Sequence, residues 1–126
     1  FEATLRIVDY VRYAAAYSFK YSARPGTPAA TMDGQIPREI MDERLQRLHD
    51  RINAHQLAFN RSKVGVDTQI LIEREGRHSG QMIGRSPWLQ SVHIETDAKA
   101  GELIDVTLVA AGPNSMAGAV RAKVAA

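Results

Sequence analysis

Gly65-Val66-Asp67-Thr68-Gln69-Ile70-Leu71-Ile72-Glu73 is the stretch on which the fold turns. Its apolar residues alternate around Val66, Ile70 and Ile72, the period of two that a half-buried strand requires, whereas the residues before it follow a helical period. A domain boundary is therefore expected near Arg61-Ser62-Lys63. Downstream, Glu75-Gly76-Arg77-His78-Ser79-Gly80 supplies a turn, and Gln81-Met82-Ile83-Gly84-Arg85 a second strand that Ser86-Pro87 breaks. Gln90-Ser91-Val92-His93-Ile94-Glu95 alternates again, and Asp97 to Gly101 is a polar connection. In the run from Glu102 to Val109, Ile104, Val106 and Leu108 share one face. Gly112-Pro113-Asn114-Ser115 turns into a last strand, Met116 to Ala122, and Val124 to Ala126 reads as a fraying end. Five short antiparallel strands in about sixty residues, with glycines at the bends, predict a closed or nearly closed all-β barrel of the OB type.

Working back from that boundary, Met41, Leu45, Leu48, Ile52, His55 and Phe59 recur at spacings of 4, 3, 4, 3 and 4, one stripe of a long helix that starts at Pro37 and runs to about Asn60. His55 on that stripe reads as a packed or hydrogen-bonded residue. Arg44, Arg47 and Arg51 form a second, cationic stripe, either a solvated face paired with Glu43 and Asp50 or a row of phosphate contacts. Residues 2–14 carry Leu5, Ile7, Val8 and Val11 at helical spacing, and Tyr17-Ser18-Phe19-Lys20-Tyr21-Ser22 alternates as strands do. One helix and one strand make neither a sheet nor a core, so this α/β unit lacks partner strands. The loop that follows is shaped: Pro25 and Pro28 fix their own φ, and Gly26 can take a positive one. It can aim Tyr21, Ser22, Arg24 and Thr27 at a common point, or it is a plain turn into the next helix.

Composition narrows the classes. The 126 residues are 44% hydrophobic and 24% charged, as in a soluble globular chain, and no apolar run approaches the length of a membrane span. The absence of cysteine excludes disulfides, thiolate ligands and iron–sulfur ligation by this chain and agrees with a reducing compartment. A start at Phe1-Glu2-Ala3, with no signal-peptide pattern, reads as a piece of a longer protein. The net charge of +2 is carried by residues 1–61, with nine Lys/Arg against seven Asp/Glu; residues 62–126 hold seven of each. Nucleic-acid binding therefore has to rest on local clusters.

No catalytic set is complete. There is no His-Glu-x-x-His, no P-loop, no cysteine nucleophile, and the four histidines lack metal-ligand spacing. Arg74, Arg77, His78 and Arg85 flank the first hairpin and can converge. Beside them Pro87-Trp88-Leu89 puts the only tryptophan in a loop, where an indole can stack on a base while arginines hold phosphate. The alternative is that Trp88 plugs the barrel end and the arginines pair with Glu73 and Glu75.

Four segments together carry a resemblance. They are Tyr17-Ser18-Phe19-Lys20-Tyr21-Ser22-x-Arg24-Pro25-Gly26-Thr27-Pro28-Ala29-Ala30, Glu43-Arg44-Leu45-x-x-Leu48, Gly80-Gln81-x-x-Gly84-Arg85-Ser86 and Gly112-Pro113-Asn114-Ser115-x-x-Gly118. The chain resembles, over its full length, the MiaB-type tRNA methylthiotransferases, which are radical S-adenosylmethionine enzymes. The resemblance implies an α+β fragment. Residues 1–35 would be the last helix–strand unit of an incomplete TIM-like radical barrel, residues 36–61 a linker helix, and residues 62–126 an RNA-binding TRAM barrel. It implies a parent enzyme that methylthiolates carbon 2 of an isopentenylated adenosine beside the tRNA anticodon, with two 4Fe-4S clusters and S-adenosylmethionine. The family's cluster cysteines are missing here, so the fragment is expected to bind no cofactor or metal, to hold no catalytic residue and to be inactive alone. Ser22, Arg24, Gly26 and Thr27 would line the cofactor or target nucleotide, at the carboxyl end of a barrel strand. Arg74, Arg77, His78, Arg85, Trp88, Asn114 and Ser115 would bind RNA. The implied partners are the tRNA anticodon stem-loop and the remaining domains of the same protein, in the cytoplasm and away from membranes. The related ribosomal-protein methylthiotransferases, which modify an aspartate, and a free-standing RNA-binding module are the alternatives. The Ser22-Ala23-Arg24-Pro25-Gly26 loop with Gln35-x-Pro37 looks more like the tRNA branch.

Overall fold

The computed structural model describes residues 1–121, which contain α1 (Glu2–Val11), a short 3-10 turn (Pro28–Thr31), α2 (Arg38–Ser62) and five strands. The strands are β1 (Asp67–Glu75), β2 (Gln81–Arg85), β3 (Ser91–Glu95), β4 (Leu103–Ala111) and β5 (Met116–Val120). The chain groups into two compact units that divide inside α2, one Phe1–His55 and the other from Gln56 onward.

In the first unit α1 buries Leu5 and Val8, and it stops three residues short of the expected end because Arg12 turns left-handed at φ 54°. The Arg12 N–H donates to Val8 O at 2.9 Å and closes the helix. Most of the cationic stripe of α2 reaches across to α1 rather than along its own helix. Arg47 pairs with Glu2 at 2.7 Å and with Glu43 at 3.4 Å, while Arg51 pairs with Asp9. Asp50, expected to pair with that stripe, instead accepts from Gln46 Nε2 at 2.9 Å. His55 Nε2 lies 2.8 Å from Asp9 Oδ1, the hydrogen-bonded role read from its place on the stripe. The guanidinium groups of Arg44 and Arg47 lie 5.4 and 5.1 Å from the Phe1 ring centre.

The strand expected over residues 17–22 does not form; this segment carries neither helix nor strand. Its contacts are to α2 side chains: His49 Nε2 lies 3.3 Å from Ser18 O, and Lys20 pairs with Asp42. Alternating sequence makes a strand only where neighbouring backbone satisfies its N–H and C=O groups, and this unit has no such neighbour. Tyr17 and Phe19 are accordingly 90% and 85% exposed.

The second unit holds a closed barrel in the order β1-β2-β3-β5-β4. All neighbours are antiparallel except β3 and β5, which run parallel through Val92↔Met116, His93↔Ala117 and Ile94↔Gly118. The expectation of five antiparallel strands is corrected by parity: directions cannot alternate around a ring of five, so one pair must be parallel. β1 closes the ring by pairing β4 from Asp67 to Leu71 and β2 from Leu71 to Glu75. Ile70, Ile72, Val92, Ile94, Val106, Leu108 and Met116 fill the interior at 0–1% exposure. Each contributes about 1.5–3 kcal/mol by leaving water. Gly84 is required by close approach, since a Cβ there would lie 2.5 Å from both Ile70 Cγ2 and Leu71 O. The ladder of β1 slips between Ile72 and Arg74, so Glu73, Arg74 and Glu75 are all exposed as the strand bends into its turn. The part of the expected last strand at Ala122, and the expected fraying end at residues 124–126, lie outside the described residues.

Candidate nucleic-acid interface

The β1–β2 turn is held by its own backbone. Gly76 N donates to Gln81 O at 2.7 Å, Gln81 N to His78 O at 3.0 Å, and Arg77 N to Gln81 Oε1 at 3.1 Å. Gly80, at φ 80°, supplies the left-handed step that reverses the chain. Because β2 runs antiparallel to β3 with Gln81 opposite Glu95, the β3–β4 connection emerges beside this turn. Thr96 N donates to Gly80 O at 3.1 Å and joins the two segments. The connection is also self-bonded: Ala98 N donates to Thr96 Oγ1 at 3.2 Å, Glu102 N to Lys99 O at 3.0 Å, and Lys99 N to the Glu102 carboxylate.

Between turn and connection lies a cleft of about 610 Å³ lined by Arg74, Arg77, His78 and Lys99, with Glu75 and Asp97 also on its wall. Arg74 and Arg77 make no ion pair among the described residues. Three of the four cationic or imidazole side chains expected to converge at the hairpin therefore do so. Lys99 joins them and was missed, although the neighbouring of β2 and β3 that an OB-type barrel implies would have placed it there.

Arg85 lies at the far end of the hairpin, opposite Leu71. Its Nε donates to Glu73 Oε2 at 3.2 Å and its Nη1 to Leu89 O at 3.3 Å, so its charge is partnered within the barrel. Trp88 packs edge-on against Phe59, with ring centres 6.4 Å apart and planes at 73°, and against the core. Lys63 Nζ stands 4.3 Å from the Trp88 ring centre. The tryptophan is thus a half-buried packing residue rather than a free loop indole.

Asn114 and Ser115 sit in the β4–β5 turn, which Gly112 N closes by donating to Ser115 O at 2.8 Å. The end of α2 holds this turn: Gln56 Nε2 donates to Pro113 O at 2.7 Å and Asn60 Nδ2 to Gly112 O at 3.0 Å. Asn60 begins a buried polar chain that sequence reasoning did not find. Gln90 Nε2 donates to Asn60 Oδ1 at 2.8 Å, and Ser86 Oγ donates to Gln90 Oε1 at 2.9 Å. Ser86 Oγ in turn accepts from the backbone N–H groups of Trp88 and Gln90, both at 3.2 Å. Nothing in the periodicity marks such a chain, because Asn60 lies thirty residues from Gln90 in the sequence.

In the first unit Ser22, Arg24, Gly26 and Thr27 lie on an exposed loop. Gly26 has φ 82° after Pro25, and Thr27 N donates to Arg24 O at 3.2 Å, the pattern of a type II turn. Thr27 Oγ1 also donates to Arg24 O at 2.7 Å, which commits that hydroxyl to the turn. The nearby cleft of about 330 Å³ is lined by Tyr21, Met32, Gln35 and Met41 among others, and Ser22, Arg24 and Thr27 are not on its wall. Three carboxyls of this unit sit below the usual carboxylate range. A hydrogen bond and the charge of Arg47 lower Glu2, the His55 hydrogen bond followed by Arg51 lowers Asp9, and Lys20 lowers Asp42. The hydrogen bond from Arg47 to Glu2 correspondingly raises the arginine. No group of three His, Cys, Asp or Glu placed to hold a metal occurs among the described residues.

No model of a known protein family matches the chain. Curated relatives match all or nearly all of it. It is 60% identical over its entire length to a tRNA-2-methylthio-N(6)-dimethylallyladenosine synthase of Erythrobacter litoralis, covering 28% of that protein. Synthases of the same name from Novosphingobium aromaticivorans and Sphingopyxis alaskensis are 58% and 59% identical over 94% and 92% of the chain, which covers 27% and 26% of their lengths. The chain thus spans about a quarter of these relatives and corresponds to their C-terminal part. With this identity sustained across both units, it belongs to the MiaB-type tRNA methylthiotransferase family.

Proposed function

We propose that the chain is the tRNA-binding C-terminal part of a tRNA-2-methylthio-N6-isopentenyladenosine synthase, which methylthiolates an adenosine next to the anticodon. The observation that carries this reading is the 60% identity, along all 126 residues, to a protein of that name. The relatives' names favour a tRNA substrate over the aspartate of a ribosomal protein. Residues 62–126 act as a TRAM-type barrel that grips the anticodon stem-loop, with Arg74, Arg77 and His78 at its cationic cleft and Asn114 and Ser115 on the turn held by α2. Arg85, bonded to Glu73, and Trp88, packed on Phe59, lie at the other end of the β1–β2 hairpin from that cleft.

Residues 1–35 complete the wall of a radical S-adenosylmethionine barrel supplied by the rest of the protein. The exposed Tyr17 and Phe19 are what a segment lacking its neighbours would present. Ser22, Arg24, Gly26 and Thr27 line the cofactor or target nucleotide there, with Arg24 facing an anionic group. The residues of this chain do not fit an iron–sulfur cluster: they include no cysteine, and no set of three candidate ligands occurs among the described residues. The two 4Fe-4S clusters and S-adenosylmethionine are held by other domains, and the fragment alone is inactive. Among the described residues no helix is long and apolar enough to cross a membrane; a tRNA-modifying parent would work in the cytoplasm beside its tRNA. Mass analysis of tRNA nucleosides from cells lacking the parent protein tests the reading. The methylthio group is expected to vanish while the isopentenylated adenosine accumulates. Its persistence with no second enzyme present would refute the assignment.

A further inference from the structure

We infer that the barrel cleft takes the phosphodiester backbone of RNA and reads no base, with Lys99 as a member of the clamp. The inference rests on the RNA-binding reading above and adds the mode of recognition. Four observations carry it. The cleft wall supplies the cations of Arg74, Arg77 and Lys99, whereas no Phe, Tyr or Trp lines it. Single-stranded RNA readers stack bases chiefly on large aromatic faces, and the one ring this wall carries is the small imidazole of His78. The only tryptophan is engaged by Phe59 and Lys63, so base stacking is not available from it either. Both segments of the clamp are tied to their own backbone and to each other through Thr96 N and Gly80 O at 3.1 Å, so the charges are presented with little loop ordering left to make on binding. Glu75 and Asp97 on the same wall offset two of the three permanent positive charges, which keeps the grip weak and dependent on salt. Selection of the target nucleoside then falls to the catalytic part of the protein, and the barrel supplies register and residence time.

The test is fluorescence anisotropy of the 126-residue chain with labelled oligo(U), oligo(A) and an abasic ribose-phosphate oligomer of roughly twelve residues, a length within the span of one OB fold. The three are expected to bind with equal affinity and equal salt slope. Arg77→Ala and Lys99→Ala are each expected to reduce that slope by about 0.7 on all three probes, and Asp97→Asn to tighten all three. Emission from Trp88 is expected to stay constant during the titration. A preference for one base of about fivefold or more, the lower end of what stacking contributes, would overturn the inference and leave the RNA reading intact. Quenching of Trp88, or a Lys99→Ala variant with unchanged slope, would do the same. Failure of wild type to bind any of the three would overturn the RNA-binding reading as well.

Discussion

Asn60→Ala isolates the contribution of the buried polar chain. Asn60 is 3% exposed; it donates to Gly112 O at 3.0 Å and accepts from Gln90 Nε2 at 2.8 Å, and Gln90 is itself 8% exposed. Alanine removes both bonds and strands one carbonyl and one amide N–H in a site with little access to water. Each of the two orphaned neutral groups costs about 1–3 kcal/mol, so the loss is expected to be about 2–6 kcal/mol. A water entering the vacated space would bring it to the low end. Trp88, the only tryptophan, packs against Phe59 one residue away in the chain and reports on this end of the barrel. Urea unfolding followed by its emission should show a lower midpoint with an unchanged slope. Arg61→Ala, at the exposed neighbouring position, should stay within about 0.5 kcal/mol of wild type. In a double-mutant cycle with Gln90→Leu, the coupling should exceed about 0.5 kcal/mol, because the second substitution removes a group the first has already orphaned. A loss under about 0.5 kcal/mol for Asn60→Ala, or additive effects in the cycle, would refute the view that these hydrogen bonds hold the last turns of α2, from Gln56 onward, to the strands of their own unit.

Gly84→Ala should lower the barrel's melting temperature through a steric cost of about 1–3 kcal/mol or more, since the new Cβ would lie 2.5 Å from backbone Leu71 O, which cannot swing away; an unchanged calorimetric transition would contradict this. The depressed Glu2, Asp9 and Asp42 carboxyls bind protons more readily in the unfolded chain, so the stability they contribute is complete at neutral pH. It is lost as pH falls through their folded values, below the ordinary carboxylate range; far-UV circular dichroism should show Asp9→Asn with a flatter acid limb than wild type, and superimposable limbs would exclude the effect. Phe19→Ser should change the stability of this chain by less than about 0.5 kcal/mol, because the ring is 85% exposed. The same substitution in the longer parent enzyme should cost about 3 kcal/mol or more if that ring packs in a completed barrel, and equal effects in denaturant titrations of both would exclude a buried role there.

Much of the second unit was legible because local periodicity and burial agree there. Ile70, Ile72, Val106 and Leu108 alternate in sequence and point inward, and Gly84 and Gly118 stand where inner-facing strands come close. The stripe from Met41 to Phe59 was legible for the same reason, since a single face was needed along the helix. The strand expected at residues 17–22 failed because alternation states a preference for pairing and says nothing about whether a partner exists. The cationic stripe was seen but its partners were not: Arg47 and Arg51 bond to Glu2 and Asp9, more than forty positions away.

The candidate site divides in the same way. Arg77 and His78 are four and three residues from Gln81 along one hairpin, so the turn brings them together by local geometry alone. Lys99 joins them only because β3 lies beside β2, and Arg85 leaves them because it sits at the other end of β2, opposite Leu71, where Glu73 takes its side chain. By itself the sequence determined the strand faces, the helix stripe and the turns, all of which depend on spacings of two to four residues. The closure of the ring with one parallel pair, the Asn60–Gln90–Ser86 chain and the retirement of Trp88 into packing were decided only by the tertiary structure. Each depends on which distant segments become neighbours, a choice made by the summed burial of the whole barrel rather than by any one stretch.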